Sequence, residues 1–440
     1  MSDSYPADTA QQKVGFFEYA YVLMLILYAG RSLLFFESPE LRTNFFGVLL
    51  PVVMSTILAF KWRIMFIPNF YLLLFFFAIY FIAISVKYYE VRPTFLITYY
   101  FIFFTAYVAV KALKINLFLL YEKIVVYLAA ISLFLWSFQV LAGGDVLFNM
   151  IGRIPYLEDI SVVSGTGLST VVYVIQSYST TLINNNTISR NCGFAWEPGS
   201  YSSYLCLAIF INLFIARDKR QSRRRFWILM LAILSTMSTT GYFLLSLIMV
   251  YYLFNLEFRK IIIMIPVMIA ILIAFFSLPF MKDKIIELVK EPAGLENLVW
   301  ESYGRESAVT PQRFSSLIIT LIDFKNNPVL GIAAHGDEQW TRRMGSNISP
   351  ISGIGNLLAQ FGLAGFIPFL ILTIKSSKTF SKIFNYKGRY LLFLIVIGIS
   401  ISYSILFIPF IACFWMFSLF EPDILADTEQ NVMLVQESGV

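Results

Sequence analysis

Apolar residues come in long blocks along this chain, separated by short polar interruptions. From the N-terminus the blocks are Phe17–Phe36, Phe45–Phe60, Met65–Val86, Thr94–Val110, Ile124–Leu141, Pro198–Ala216, Phe226–Thr239, Thr240–Phe254, Ile261–Pro279, Gly353–Ile374 and Tyr390–Phe420. A helix crosses the hydrocarbon core of a bilayer with about 20 apolar residues, so these blocks predict membrane-spanning helices. Phe226–Phe254 is a single apolar stretch interrupted at Ser235–Gly241, where clustered hydroxyls and a glycine mark a break. It predicts two short spans. Tyr390–Phe420 contains Ser402, Ser404 and Pro409 and reads either as one tilted helix or as a tight hairpin. The prediction is an all-α polytopic membrane protein of eleven or twelve transmembrane helices, a single integral membrane domain over residues 1–440. Its long polar stretches are 142–197 and 280–352, and an acidic tail, 421–440, ends the chain. Within the first stretch, Ile160–Tyr178 is mildly apolar and predicts an interfacial amphipathic helix.

Composition agrees. Hydrophobic residues make up 58% of the chain and charged residues 14%, with a mean hydropathy of +0.73; a soluble globule carries about 25% charge. A soluble enzyme, a disordered chain and a disulfide-rich secreted domain are excluded. The net charge of +6 does not indicate nucleic acid, because the basic residues lie in short clusters between apolar blocks. With the N-terminus inside, the inside segments hold 19 Lys/Arg in 63 residues and the outside loops 13 in 144. That bias places the N-terminus in the cytoplasm and both 142–197 and 280–352 on the outer face. The run Arg217–Arg225 (RDKRQSRRR) is the strongest inside signal; its functional alternative is binding of an anionic lipid headgroup. Ser2–Phe16 is polar and the first block is long, so that block is expected to stay as an anchor rather than be cleaved. Arg31, near the outer end of its block, is expected to snorkel.

Three cysteines without a CxxC motif and one histidine leave no disulfide framework, zinc site or multi-histidine metal centre, and no metal or cofactor is expected. There is no phosphate-binding glycine loop, GxSxG or HExxH. Two regions carry candidate chemistry. The first is Arg190-Asn-Cys-Gly-Phe-Ala-Trp-Glu197-Pro198-Gly199, which closes the first outer loop and opens the block Pro198–Ala216. Proline at the first helical position makes a sound helix start. The free N–H groups of a helix N-terminus beside an arginine fork suit phosphate, and a glutamate there can take a proton from a hydroxyl. The competing reading is an Arg190–Glu197 salt bridge that braces the loop after a turn at Gly193. The second region, 280–352, carries Arg305, Arg313, Arg342, Arg343 and His335, with 8 Lys/Arg against 9 Asp/Glu. It is not a basic patch in bulk, so an anion site there needs selected arginines folded together. His335, between Ala334 and Gly336, reads either as catalytic or as a solvated loop histidine.

Taken in order, the motifs resemble the O-antigen polymerase and O-antigen ligase superfamily of bacterial membrane glycosyltransferases, and most of all the Wzy-type polymerases. Arg190-Asn-Cys-Gly-Phe-Ala-Trp-Glu-Pro is similar to the family's Arg-x-x-Gly-Phe-x-x-Glu-Pro segment. Ser238-Thr-Thr-Gly241 resembles its Ser-x-Thr-Gly break. Arg313 followed by Asn327-Pro-Val-Leu-Gly331 resembles its loop arginine and turn. Asn356-Leu-Leu-Ala-Gln-Phe-Gly362-Leu-Ala-Gly365 resembles its post-loop helix. The resemblance covers about residues 190 to 375; the first half of the chain matches in hydropathy only.

The resemblance implies a glycosyltransferase of the GT-C type in the bacterial inner membrane, its cavity opening to the outer face. Its substrate would be an undecaprenyl-pyrophosphate-linked oligosaccharide. The glycan passes from that carrier to a sugar hydroxyl, and arginines in place of a metal stabilise the pyrophosphate leaving group. Arg190, Glu197, Arg313 and His335 are then the catalytic candidates, with Arg305, Arg342, Arg343 and Asn356 as substrate-binding candidates. Membrane lipid is a partner, and the resemblance admits a chain-length regulator and a flippase as others. Ligases carry a histidine near the position of Ser349–Gly355; this chain has none there, which favours polymerase over ligase and leaves the general base open between Glu197 and His335. A lipid-linked sugar flippase is the reading from another class; it would show broken helices in both halves and charges at the midplane.

Overall fold

The computed structural model describes residues 14–30, 44–143, 186–216, 219–254, 295–305 and 308–420, with 146–147, 150 and short segments between 162 and 183. Residues 31–36 of the first block with Arg31, the block Ile261–Pro279, residues 280–294, Arg217 and the acidic tail lie outside the described residues.

The apolar blocks are helices. They are α1 (Phe16–Ala29), α2 (Asn44–Lys61), α3 (Pro68–Tyr88), α4 (Pro93–Leu113) and α5 (Ile115–Ala142). After the first polar stretch come α6 (Pro198–Phe214), α7 (Lys219–Thr236) and α8 (Thr239–Phe254). The second stretch holds α9 (Leu295–Ser302), α10 (Arg313–Asn326) and the one-turn α11 (Trp340–Arg343). Then follow α12 (Gly353–Ile383), α13 (Leu391–Ser402) and α14 (Pro409–Trp415). Four of these starts carry proline in the first turn, at Pro68, Pro93, Pro198 and Pro409, where its missing N–H costs nothing. Among the described residues, α3, α4, α5 and α12 are long and apolar enough to cross a membrane. Several other apolar helices are shorter.

The two ambiguous stretches are resolved. The long apolar run around Ser235–Gly241 breaks between α7 and α8, with Met237 in the left-handed region. The last stretch is a hairpin: α13 ends at Ser402, and Pro409 starts a second helix that returns alongside α12, where Ser376 donates to the Trp415 carbonyl (2.8 Å).

The first polar stretch corrects one expectation. Ile160–Tyr178 is not an amphipathic helix; its described parts are strands β1 (Val162–Ser164), β2 (Gly167–Ser169) and β3 (Val174–Gln176), an antiparallel meander. A hairpin of β4 (Thr180–Ile183) and β5 (Asn186–Ser189) follows. Valine, threonine and isoleucine dominate these segments, and branching at Cβ favours the extended backbone. The fold is therefore mostly helical rather than purely so. The strands rest on the C-terminal end of α5: Trp136 donates to the Ser189 carbonyl (2.7 Å), and Tyr173 to Gln139 (2.7 Å). The Val174 amide pairs with the Gly193 carbonyl (2.8 Å). These contacts hold the segment leading to Glu197 against the helices.

Polar contacts gather at two ends. At one, Lys61 pairs with buried Glu18 (2.6 Å), and Arg225 and Asn212 both reach buried Glu122 (2.9 and 2.7 Å). At the other lie Gly30, residues 190–199, the α7–α8 break and the starts of α10 and α12. The turn between α3 and α4 meets the second polar stretch through Lys87–Asn327 (2.7 Å) and Arg92–Ala334 (2.7 Å). Segments that charge counting puts on one side thus meet at one end. α6 runs through the middle, buried along almost its whole length, and packs on α5, α7 and α8.

Candidate functional site

Helix α6 begins at a junction of five chain segments. Asn191 organises the approach. Its side chain accepts from the Gly193 amide (2.9 Å) and donates to Ser132 and Ser235 (3.2 and 2.9 Å). The Trp196 amide pairs with the Gly30 carbonyl (3.0 Å), and Phe194 is fully buried. Ser202 contacts Ser238 (3.1 Å), and Gly241 leaves no room for a side chain against Ser202. The α7–α8 break therefore packs directly against the first turn of α6.

Two arginines converge here from different loops. Arg190 lies just before α6 and donates Nε to the Thr236 carbonyl at the end of α7 (3.0 Å). Burial pushes its pKa down, and the nearby Arg313 charge adds to that while Glu197 opposes it; the group stays charged at any physiological pH. Arg313 opens α10 and donates to Glu197 (3.4 Å), each side chain about one-third exposed at 34% and 33%. Its guanidinium lies over the Tyr403 ring, 4.2 Å from the centroid. The side chain of Glu197, the residue before α6, makes no cap hydrogen bond to the helix. Its carboxylate turns to Arg313, leaving the first-turn amides without that cap. The expected alternative pairing of Arg190 with Glu197 is thus replaced by an Arg313–Glu197 pair that joins the two long polar stretches. Two guanidinium charges against one carboxylate leave a net +1 beside a helix N-terminus, which suits an anion of more than one charge.

The other candidates are placed elsewhere. His335, 4% exposed, stacks on Tyr88 (centroids 4.3 Å apart), and its Nε2 lies 3.3 Å from Glu90. Arg92 completes that group through Glu90 (2.9 Å) and Asp337 (3.6 Å). His335 shares no hydrogen bond, ion pair or ring contact with Arg190, Glu197 or Arg313. Arg342 pairs with Asp337 (3.6 Å), Arg343 with Glu338, and Arg305 is exposed. Asn356 donates to the Pro350 carbonyl (3.1 Å), bracing the entry to α12. Among the described residues, no group of three or more His, Cys, Asp or Glu is placed to hold a metal ion.

Sequence reasoning passed over Tyr403. It stands in the turn after α13, its hydroxyl against Gly199 in the first turn of α6. The signal available was the polar break Ser402–Ser404 in an otherwise apolar stretch; the tyrosine itself, one of 25, carried none. Glu90, which faces His335, and Arg92, which pairs with Glu90, were also passed over.

No protein-family model matches this chain, and no curated protein matches it.

Proposed function

We propose that the chain is a polysaccharide polymerase. It would transfer a growing O-antigen or capsule glycan from undecaprenyl pyrophosphate to a sugar hydroxyl of the next lipid-linked repeat unit. The observation that carries the reading is the meeting of Arg190 and Arg313, from separate loops, at the uncapped start of α6. In this reading that end faces outward, the side the charge bias of the sequence predicts for both long polar stretches, and the membrane is the bacterial inner membrane.

In this reading the acceptor oxygen attacks the anomeric carbon and the bond from that carbon to the pyrophosphate oxygen breaks. The electron pair leaves with the pyrophosphate, and its growing charge falls on Arg190, Arg313 and the α6 amides. The proton of the acceptor hydroxyl goes to the Glu197 carboxylate. Glu197 is preferred over His335 as base because it stands beside Arg313, whereas His335 is engaged by Tyr88 and Glu90.

The test is reconstitution of the purified chain with a lipid-linked repeat unit. A ladder of products spaced by one repeat supports the reading. Transfer of glycan only to a different acceptor would make the chain a ligase, and movement of the lipid-linked sugar across the bilayer without bond formation would make it a flippase.

A further inference from the structure

Tyr403 has a buried hydroxyl whose proton has no acceptor. The residue is 3% exposed; the Arg313 guanidinium, which can only donate, stands beside its oxygen, and the hydroxyl proton meets no acceptor. Leaving such a group unsatisfied is costly, and an unmade bond in a native structure asks for a reason. The position of this one is held from several directions. The Tyr403 amide pairs with the Ile399 carbonyl (3.0 Å) and its carbonyl accepts from the Ile405 amide (3.0 Å). Gly353 lies so close to the same carbonyl that a side chain there would collide with it. Next to Tyr403, Ser402 bonds Thr240 (2.8 Å), tying the turn to the α7–α8 break. The hydroxyl thus arrives over Gly199 by construction, and the Arg313 guanidinium covers the ring.

We propose that the Tyr403 hydroxyl donates a hydrogen bond to the same pyrophosphate oxygens that Arg313 and the α6 N-terminus hold. This is a third anion-binding group, from a third segment of the chain, and it rests on the polymerase reading above. A phenol keeps its proton below about pH 10, so it is a donor throughout the working range. Held in place before substrate arrives, the donor needs no reorganisation when charge develops on the leaving group. The lack of a side chain at Gly199 is what lets hydroxyl, guanidinium and backbone amides approach one point: an added Cβ there would lie 1.4 Å from the Tyr403 oxygen and 3.2 Å from an Arg313 nitrogen.

The test is binding of inorganic pyrophosphate and of farnesyl pyrophosphate to the full chain in lipid nanodiscs, with farnesol as the control for the lipid tail. Binding is measured by titration and by the ligand-induced rise in unfolding temperature. Tyr403→Phe removes one oxygen and keeps the ring on Arg313. The expected result is binding of both pyrophosphates about tenfold weaker, no response to farnesol, and a ligand-free unfolding temperature at or above wild type. Binding equal to wild type in Tyr403→Phe, together with loss in Arg313→Ala, would overturn this inference and leave the arginine reading standing. A ligand-free unfolding temperature below wild type would make the hydroxyl a structural group and overturn it as well. If the wild-type chain binds neither pyrophosphate, the inference and the polymerase reading fall together.

Discussion

At the scale of single residues, the junction at the start of α6 turns on Gly199. It is the position where Tyr403 and Arg313 crowd the helix, and it admits no side chain without moving them. Gly199→Ala is expected to displace the tyrosine and loosen Arg313. Polymerisation should fall at least tenfold while the chain still inserts and folds, since alanine suits the helix itself. Product ladders at matched protein levels check this. The motif containing Arg190 and Glu197 was legible from the sequence because a proline helix start, an arginine and an acid stand together. Which arginine pairs with Glu197 was not legible. That depends on where α10 docks, and 116 residues of chain separate the partners.

At the scale of elements, two motifs of the sequence prove to be halves of one backbone joint. α12 is interrupted at Gly362, whose φ of 58° and ψ of −158° no other residue adopts comfortably. The break exposes backbone groups that the Asn327–Gly331 turn satisfies. The Leu363 amide pairs with the Pro328 carbonyl (2.8 Å), the Ala364 amide with Val329 (3.0 Å), and the amides of Ile332 and Ala333 with Ala359 and Gln360 (2.9 and 2.7 Å). Gly331, also at positive φ, sits against the Gln360 backbone. Gly362→Ala is expected to destabilise the chain by about 3 kcal/mol, read as a lowered unfolding temperature in detergent. The sequence displayed both glycine patterns, but their mutual pairing is tertiary and carries no local periodicity.

The α3–α4 turn forms a second joint with the same loop, and its pH response has a definite sign. Arg92 holds the Glu90 carboxyl below the usual carboxylate range through a paired hydrogen bond. A depressed acid contributes stability above its unfolded value, and that contribution is lost as pH falls through the folded value. Contact between residues 87–92 and 327–338 should therefore be unchanged from neutrality down to about pH 5 and loosen below about pH 4. Hydrogen exchange of 330–338 across that range measures it; loosening already at pH 6 would contradict it. The strands of the first polar stretch were missed because each is only three or four residues long, too short to show an alternation.

At the scale of the whole molecule, the apolar blocks foretold where most of the described helices lie, and four of those helices are long and apolar enough to cross a membrane. The hairpin at the end of the chain was the open case, decided by Pro409. Which end of the helices faces outward is checked by cysteine labelling in sealed cells, against a low background, since the native cysteines are all buried. Met344→Cys, exposed in the second polar stretch, should label from outside, and Arg223→Cys should label only after permeabilisation. The reverse pattern would place the arginine junction in the cytoplasm and exclude an outer-leaflet reaction.

The central claim is that Arg190 and Arg313 act on the pyrophosphate of the lipid carrier, and the polymerisation rate of reconstituted arginine variants tests it most directly. Arg190→Ala and Arg313→Ala, at equal levels of folded protein, are each expected to lose about 3 kcal/mol of transition-state stabilisation, or roughly a hundredfold in rate. Arg313→Lys should not restore it, because an ammonium lacks the planar fork that grips two oxygens at once. Chains of wild-type length and yield from both alanine variants would contradict the account.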